Sequence, residues 1–586
     1  MACDEAEAGA AWSSRVPLGY LSVAGAVLTW LSQPPLALSL LAWIALIPWL
    51  QWAARPVVHR RDYAWFYVVA ALYWAVTMQG IRHAHPAMYA TLAVFALYLA
   101  CYSVMFVWLI RQRHQRKSRL IPFWLAVPIV GTGLECLRNY VLTGVSAAMI
   151  GHSQAANPLV IQIADAFGSY GVTFLVLLVN AAIYEVAFAE VPTGWRRWAP
   201  AAVALSLVAL SLGYGKWRLD QADQSTVARP SGSQIALIGR DEEIVFVQES
   251  QREREIFDAY FRQSLDAAEQ VAKTGGKLDA IVWPESMYTG SLAWLLLDNP
   301  LDNPLDNPQQ ETTSLNPNIV PVIEENRKHF QLRSAQVQAA IRKVTGQSSD
   351  PHLIVGCSVV YFGEPPQAFS SVVQIGQRGH VINWYGKTHL VMFGEYIPLI
   401  DYLPWVHRWV PPGMGVQRGK GPVAMRTGNV VLSPNVCIET AVERVTLNQV
   451  RALIAAGNPP DAIVNVTNDG WFDRTSIVEH HLRCSQLVAV ACRRPVLIAA
   501  NGGPTAWIDG SGRVIQRLRN DEAGAIITEF TIDGRWGLYQ SIGDWPARVF
   551  AFFCAWLVIA KLCRGLRRGH RPSPDVAAIL AQRASE

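Results

Sequence analysis

The sequence is short of charged residues. Only 16% of its 586 residues are Asp, Glu, Lys or Arg, whereas soluble chains average about 25%. Hydrophobic residues make up 51%, and there are 22 Trp. The formal net charge of +5 is small for this length, so we expect no nucleic-acid partner. This composition is typical of a membrane protein with more than one domain.

Cysteines with metal-binding or redox spacing are also lacking. The nine Cys include no C-x-x-C pair, and no Cys/His spacing matches a zinc site. Because their number is odd and their spacing irregular, a disulfide framework is not expected, and at least one thiol should be free. We predict neither a metal site nor a cofactor.

Long apolar runs occupy the first part of the chain. Residues 1–14 lack the basic region of a cleaved signal peptide, so the first run is interpreted as a retained membrane helix. Several runs approach the ~20 residues that span a bilayer, although buried helices of a soluble domain would be the alternative. We predict a transmembrane domain over residues 1–216 with about seven helices, near 17–33, 36–53, 63–79, 87–110, 121–140, 168–190 and 199–215.

The basic residues predict the orientation of these helices. If the N-terminus is cytoplasmic, the clusters at 55–61, 111–119, 196–197 and 564–571 all fall on the cytoplasmic side. An odd number of spans then places residues 217–546 on the extracytoplasmic face. Residues 547–586 would form a final membrane helix, with its apolar run at 547–563, and a basic cytoplasmic tail.

The extracytoplasmic segment has the pattern of an α/β domain with a core over residues 232–530. Helix-like patterns cover 252–273 and 334–345. A repeated Asp-Asn-Pro motif predicts an exposed, turn-rich insertion at about 295–320, because Pro at every fourth residue forbids a regular helix. Short apolar runs resemble buried strands at 235–238, 280–283, 353–360, 372–375, 430–432, 462–466 and 496–500.

Three residues that can carry chemistry each follow a predicted strand. Glu285 comes after the strand at 280–283 and Pro284, where active-site groups of α/β folds often lie. Lys387 could stabilise a developing oxyanion, and Cys437 could act as a nucleophile beside a carboxylate and a lysine. Taken singly, each has an ordinary alternative: a solvated loop glutamate, a surface lysine and a small buried thiol.

Glu285, Lys387 and Cys437 in this order resemble the nitrilase (carbon–nitrogen hydrolase) superfamily. The apolar runs on both sides narrow the resemblance to the bacterial apolipoprotein N-acyltransferases, and it covers nearly the whole chain. The most specific matches are the segments KTHLV with FGEY at 387–396, NVTNDGWF at 465–472 and residues 494–502. The resemblance implies a multi-span α-helical membrane domain plus a nitrilase-like α/β domain, an α-β-β-α sandwich.

The resemblance also implies roles. Glu285 would be the general base, Lys387 would stabilise the tetrahedral intermediate and Cys437 would attack, with Glu395 and Glu439 supporting the site. The implied reaction moves an acyl chain from a membrane phospholipid, through a Cys thioester, to the α-amine of a diacylglyceryl-cysteine apolipoprotein. It implies a monomer in the bacterial inner membrane with its catalytic domain in the periplasm.

Aromatic residues near the motifs are candidates for substrate contact. An apolar loop over 393–410 would help lipids enter, although ordinary packing explains its aromatics nearly as well. Our predicted substrate-binding residues are Trp283, Phe393, Tyr396 and Trp471.

The sequence departs from the family pattern at Ile438, where Tyr is usual, and at Met392, where Pro is usual. No proposed catalytic residue is lost. A membrane-anchored nitrilase-type amidase is the alternative, because the same three residues would serve hydrolysis. The many apolar runs favour the transferase, since a hydrolase of soluble substrates has little use for them.

Overall fold

The computed structural model consists of a helical N-terminal region, an α/β domain and a C-terminal helix. It describes residues 16–116, 121–189, 194–224, 228–244, 249–288, 293–297, 319–363, 366–392, 394–396 and 415–569.

The described residues of the N-terminal region form eight α-helices, close to the predicted runs. Three described helices, α4, α7 and α8, are long and apolar enough to cross a membrane. The number of spans and their orientation stay predictions. The eight are α1 (Leu18–Ser32), α2 (Ile47–Ala54), α3 (Arg60–Thr77), α4 (Met88–Arg116), α5 (Phe123–Tyr140), α6 (Pro158–Ile161), α7 (Ala164–Phe188) and α8 (Ala199–Ala222).

The run at 36–53 is not one continuous helix. A 3-10 helix (Ser39–Trp43) precedes α2, and the two are separated near Ile44, which has φ −129°. This segment folds back against α1, and Trp49 Nε1 donates to Ser22 O at 3.0 Å. The first two runs therefore form a short helical hairpin that packs on α3 and α4.

Each predicted strand and helix of the α/β domain overlaps an observed one, but the helix predicted at 334–345 already begins at Val320, and the short strands at the sheet edges were not predicted. Parallel strands buried on both faces need continuous apolar runs, which is why their sequences show them. The insertion predicted at about 295–320 lies mostly outside the described residues. The strands are β1 (Ala228–Pro230), β2 (Ile235–Gly239), β3 (Ala280–Trp283), β4 (Trp294–Leu296), β5 (His352–Tyr361), β6 (Gln367–Ile375), β7 (Val381–Gly386), β8 (Met425–Thr427), β9 (Val430–Val436), β10 (Ala462–Asn468), β11 (Val496–Asn501), β12 (Ala506–Ile508), β13 (Val514–Arg517), β14 (Gly524–Thr528) and β15 (Thr531–Asp533).

Six further α-helices lie in the described part of the α/β domain and the C-terminal segment. In α10 the left-handed Gly346, with φ +69°, ends the helix, as glycine at this position commonly does. The six are α9 (Ser250–Lys273), α10 (Val320–Thr345), α11 (Glu443–Ala455), α12 (Ser476–Cys492), α13 (Tyr539–Ile542) and α14 (Trp545–Gly569).

Two sheets pack face to face between two helical layers. One sheet has the order β14-β2-β3-β5-β6-β7, with β4 beside β5, and the other has the order β13-β12-β11-β10-β9-β8. Val282 and Ile354 of the first sheet meet Leu432 and Val464 of the second in the central core. Helices α9 and α10 cover the outer face of the first sheet, and α11 and α12 cover that of the second. This arrangement confirms the predicted α-β-β-α sandwich.

A buried ion cluster joins the α/β domain to the helical region. Asp165, at the start of α7, accepts from Arg218 Nε of α8 at 2.7 Å and from Arg493 Nε of the α/β domain at 2.9 Å. The Asp165 and Arg493 side chains have no exposed surface, and that of Arg218 is 6% exposed. Apolar contacts of Leu487 and Val490 with α6 and α7 surround this joint. The sandwich is thereby held against the membrane helices.

Candidate active site

Glu285 lies at the carboxyl end of β3, as predicted. Its backbone packs directly on β5, because a Cβ at Gly356 would lie 2.4 Å from Glu285 Cα. The residue is 9% exposed. Its carboxylate accepts from Ser370 Oγ at 3.0 Å and from the Asn468 N–H at 3.3 Å. Glu285 therefore joins the ends of both sheets.

Lys387 follows β7 and points into the same space. Its N–H donates to Ser370 O at 2.8 Å, so one residue of β6 positions both Lys387 and Glu285. The ammonium is 2.7 Å from Glu395 Oε1 and 3.6 Å from Glu285 Oε1. With 1% exposure, this lysine is a buried cation between two carboxylates, not a surface residue.

Cys437 occupies the sharp turn between β9 and a 3-10 helix (Cys437–Thr440). Its φ of +50° is in the left-handed region, which is uncommon for residues other than glycine. Such conformations cluster at functional sites. The half-buried Cys437 lies close enough to Glu285 and Lys387 for both charges to act on its thiol.

Glu439 ties the lysine loop to the cysteine turn. Its fully buried carboxylate accepts from the Val436 N–H at 2.8 Å and from the Thr388 N–H at 2.7 Å. Tyr385 OH donates to the same group at 2.8 Å. Burial raises the pKa of the Glu439 carboxyl, and these donors oppose the shift. Because its oxygens are occupied by these donors, Glu439 has a structural role beside the reactive groups.

The charges at the site shift the ionisation of its members. Burial raises the pKa of the Glu285 carboxyl; Lys387 opposes the shift, and Glu395 adds to it. Burial opposes the charge on Lys387, but Glu395 and Glu285 outweigh it and raise the pKa of the ammonium. Burial and Glu285 raise the pKa of the Cys437 thiol. These shifts favour the neutral thiol and the charged lysine, and they make the Glu285 carboxylate a stronger base than usual.

This arrangement can perform nucleophilic acyl transfer. The thiol has a carboxylate to take its proton, and the buried Lys387 cation can stabilise a developing oxyanion. Within the described residues, no group of three or more His, Cys, Asp or Glu side chains is arranged to hold a metal ion.

The predicted substrate-binding residues do not all reach this site. Trp283 has no exposed surface and packs against Phe257 and Tyr260 under α9, where its Nε1 donates to Ser264 Oγ at 2.9 Å. It points to the outer face of the sheet because adjacent strand residues alternate sides. Contrary to the prediction, Trp283 therefore packs in the core and does not face the catalytic groups.

The other aromatic candidates lie near the catalytic groups or outside the described residues. Tyr396 is half-buried, directly after Glu395, and Arg418 lies 5.9 Å from its ring centre. Trp471 is half-buried in the 3-10 helix (Asp469–Phe472) that follows β10. Phe393 and the apolar loop over 402–410 lie outside the described residues.

Several site residues were missed by sequence reasoning. Ser370 is in the middle of a strand with no distinguishing signal. Asn468 and Asp469 lie within the quoted segment 465–472 but received no role. His481, whose Nε2 lies 3.0 Å from Cys437 O, is on the helix that follows the segment 465–472 and received no role.

Comparisons with known proteins agree across both regions. A family model of the N-terminal domain of apolipoprotein N-acyltransferases matches residues 25–182, and the carbon-nitrogen hydrolase model matches residues 245–536. An apolipoprotein N-acyltransferase of Rhodopirellula baltica is 38% identical over 582 residues, covering 94% of this chain and 99% of that protein. Another from Geobacter metallireducens is 26% identical, covering 91% and 92%.

Proposed function

The chain belongs to the apolipoprotein N-acyltransferase family, and on this premise we propose that Cys437 carries the acyl chain as a thioester. The donor is a membrane phospholipid, and the acceptor is the α-amine of a diacylglyceryl-cysteine apolipoprotein. The observation that carries the proposal is the buried Lys387 cation between Glu285 and Glu395, beside a cysteine in a left-handed turn.

The first half-reaction forms the thioester. Cys437 Sγ attacks the ester carbonyl carbon of the phospholipid while Glu285 takes the thiol proton, which its raised pKa favours. The oxyanion of the tetrahedral intermediate is stabilised by Lys387, whose charge is held in place by Glu395. When the intermediate collapses, the C–O bond breaks and Glu285 returns the proton to the leaving lysophospholipid oxygen.

The second half-reaction consumes the thioester. The acceptor amine attacks the thioester carbonyl and gives its proton to Glu285, and Lys387 again stabilises the oxyanion. The C–S bond then breaks, the Cys437 thiolate regains the proton, and the product is an amide. Splitting ester-to-amide transfer in this way replaces one difficult step by two easier ones.

We propose that these steps occur at the extracytoplasmic surface of the bacterial inner membrane, in a monomer. All basic clusters between the apolar runs fall on one side of the predicted topology, opposite the catalytic domain. The domain is flanked by α8 and α14, and the Asp165 cluster holds it against α7 and α8. These contacts support a site close to lipid substrates.

Replacing the nucleophile tests the proposal. We expect Cys437→Ala to abolish transfer to a diacylglyceryl peptide, because no other group there can form the thioester. Intact-protein mass spectrometry after mixing with phospholipid should show one added acyl chain on the wild type and none on the variant. Cys357→Ala is the matched control, since Cys357 is buried in the outer core of the first sheet and should keep transfer.

Two outcomes would contradict the proposal. One is transfer by Cys437→Ala at the wild-type rate, and the other is an acyl chain mapped to a cysteine other than Cys437. Measuring free fatty acid beside acylated peptide separates transfer from hydrolysis. Fatty acid without acylated peptide would favour an amidase-like enzyme.

A further inference from the structure

His481 of α12 contacts the nucleophile's backbone. Its Nε2 lies 3.0 Å from the carbonyl oxygen of Cys437, and its Nδ1 lies 3.1 Å from Asp469 Oδ1. The histidine side chain is 13% exposed and the aspartate side chain 2%. A carboxylate, an imidazole and the nucleophile's peptide group thus form one connected chain behind the thiol.

Asp469 is fixed in this chain by its surroundings. Thr467 Oγ1 donates to Asp469 Oδ1 at 3.0 Å. A Cβ at Gly503 would lie 2.4 Å from Asp469 Oδ2, so the backbone of Gly503 packs directly against the carboxylate. The carboxylate therefore has little freedom to leave His481, and the orientation of the imidazole is determined by it.

Both ring nitrogens of His481 face oxygens that accept hydrogen bonds. Asp469 Oδ1 accepts as a carboxylate, and Cys437 O accepts as a carbonyl. Thr440 Oγ1 lies 3.1 Å from Nε2, but it donates its own proton to Cys437 O at 3.2 Å and accepts from Asn465 Nδ2 at 2.8 Å. This geometry suits an imidazolium. Burial opposes that charge, but Asp469 outweighs it and raises the pKa of His481.

The peptide group between Cys437 and Ile438 has two ends. In a trans peptide the N–H points opposite to the C=O. His481 and Thr440 hold the carbonyl of Cys437 on one side, so the N–H of Ile438 points away from α12. Ile438 lies in the first turn of the 3-10 helix (Cys437–Thr440), where N–H groups have no acceptor within the helix.

We propose that His481, held by Asp469, is a positioning residue that aims the Ile438 N–H at the oxygen of the tetrahedral intermediate. The N–H and the Lys387 ammonium would then stabilise that oxygen together. Hydrogen bonds in a chain polarise one another, so a charged donor on the Cys437 carbonyl also makes the N–H at the other end a better donor. This inference rests on the proposed thioester chemistry.

The test separates stabilisation of the oxyanion from the reactivity of the thiol. For His481→Ala we expect the rate of Cys437 acylation to fall by about 10- to 100-fold, below the ~10²–10³-fold loss of a whole oxyanion donor. The KM for phospholipid should stay within about 2-fold, because only the transition state loses an interaction. His481→Gln keeps an N–H donor for the Cys437 carbonyl and should recover most of the rate.

Alkylation of Cys437 by iodoacetamide provides the second readout, since that displacement forms no oxyanion. Its rate, followed at the Cys437 peptide by mass spectrometry, should be unchanged in His481→Ala. His480→Gln is the matched control. His480 is the preceding residue of α12 and is fully buried, yet its ring nitrogens make no hydrogen bond to the Cys437 turn among the described residues.

Three results would overturn the inference: a wild-type acylation rate in His481→Ala, an equal fall in alkylation, or an equal loss in His480→Gln. None of these would affect the thioester proposal, which depends on Cys437→Ala. If instead Cys437→Ala still forms the acyl-enzyme, the proposed function fails first, and the role of His481 fails with it.

Discussion

Two buried charge clusters in this protein combine carboxylates and cations in opposite ratios. At the domain joint, one carboxylate, Asp165, faces two guanidiniums, Arg218 and Arg493. At the candidate active site, one ammonium, Lys387, faces two carboxylates, Glu285 and Glu395. Each cluster is largely buried, with no side chain more than 17% exposed, so each charge depends on its neighbours for stabilisation.

The difference lies in how completely the charges are satisfied. Asp165 also accepts from Tyr214 OH at 2.7 Å, and Arg493 donates further to Gln162 Oε1 at 2.7 Å, so the joint is a closed network. In the active site Glu395 is the nearer partner of Lys387, and Glu285 is left less compensated, with a raised pKa. A closed network holds domains together, whereas an incompletely compensated carboxylate can exchange protons with a substrate.

The largest difference between the two clusters should appear when the charge of Glu285 is removed. We expect Glu285→Gln to lower kcat/KM by about 10²–10⁴-fold, the usual contribution of a general base, while the protein stays folded. A base works only when deprotonated, so wild-type activity should fall as pH decreases through the raised pKa of Glu285. The midpoint should lie above 4.5, the ordinary value for a glutamate.

The pH profile of kcat/KM for peptide acylation measures this directly. Glu479→Gln is the control, since Glu479 forms a partly exposed pair with Arg517 and should leave the profile unchanged. An acid limb that persists unaltered in Glu285→Gln would assign the titration to another group.

The domain joint should show the opposite response. Asp165→Ala leaves two buried guanidiniums without their carboxylate, which we expect to lower the free energy of unfolding by about 3–5 kcal/mol. The kcat of the protein that remains folded should change by less than about 3-fold, because the joint does not contact the site. Thermal unfolding in detergent, with activity measured well below the transition, separates the two quantities.

Asp220→Ala is the matched control for the joint. Asp220 forms an exposed pair with Lys216 on the same helix, α8, and such pairs contribute only ~0–1 kcal/mol. A melting temperature for Asp165→Ala equal to that of Asp220→Ala would show that the joint does not stabilise the fold.

The smallest effects are expected from substitutions of Trp283 and Trp471, which were both predicted to bind substrate. Trp283→Phe removes one buried hydrogen bond, to Ser264, and leaves a cavity in the core, so it should cost about 1–3 kcal/mol of stability with no change in KM. Trp471→Phe should instead raise the KM for the acceptor peptide by roughly 3- to 10-fold, equivalent to about 1 kcal/mol of binding. A raised KM in Trp283→Phe would show that Trp283 does take part in substrate binding.

Much of the fold could be predicted because local patterns depend on burial. The strands β3, β9, β10 and β11 were each anticipated from short apolar runs, since parallel strands covered on both faces are rich in apolar side chains. The prediction of one helix at 36–53 failed for a reason that is also local. An apolar run of that length indicates burial, but it does not show that the helix is interrupted near Ile44.

The candidate site was only partly predictable. Glu285, Lys387 and Cys437 follow strands and match a family order, so a pattern in the chain pointed to them. Trp283 lies two residues before Glu285 yet faces the outer core. Ser370 and His481 have no local signal, because their roles arise from contacts with residues 85 and 44 positions away.

The sequence by itself determined the helical and α/β regions, the order of the three catalytic candidates and the family, because these depend on composition, periodicity and motif spacing. Only the tertiary structure decided which carboxylate lies closer to Lys387, which histidine holds the Cys437 carbonyl, and that Asp165 meets Arg493 across 328 residues. These are contacts between distant elements, and a linear pattern records that a residue is buried without recording what it is buried against.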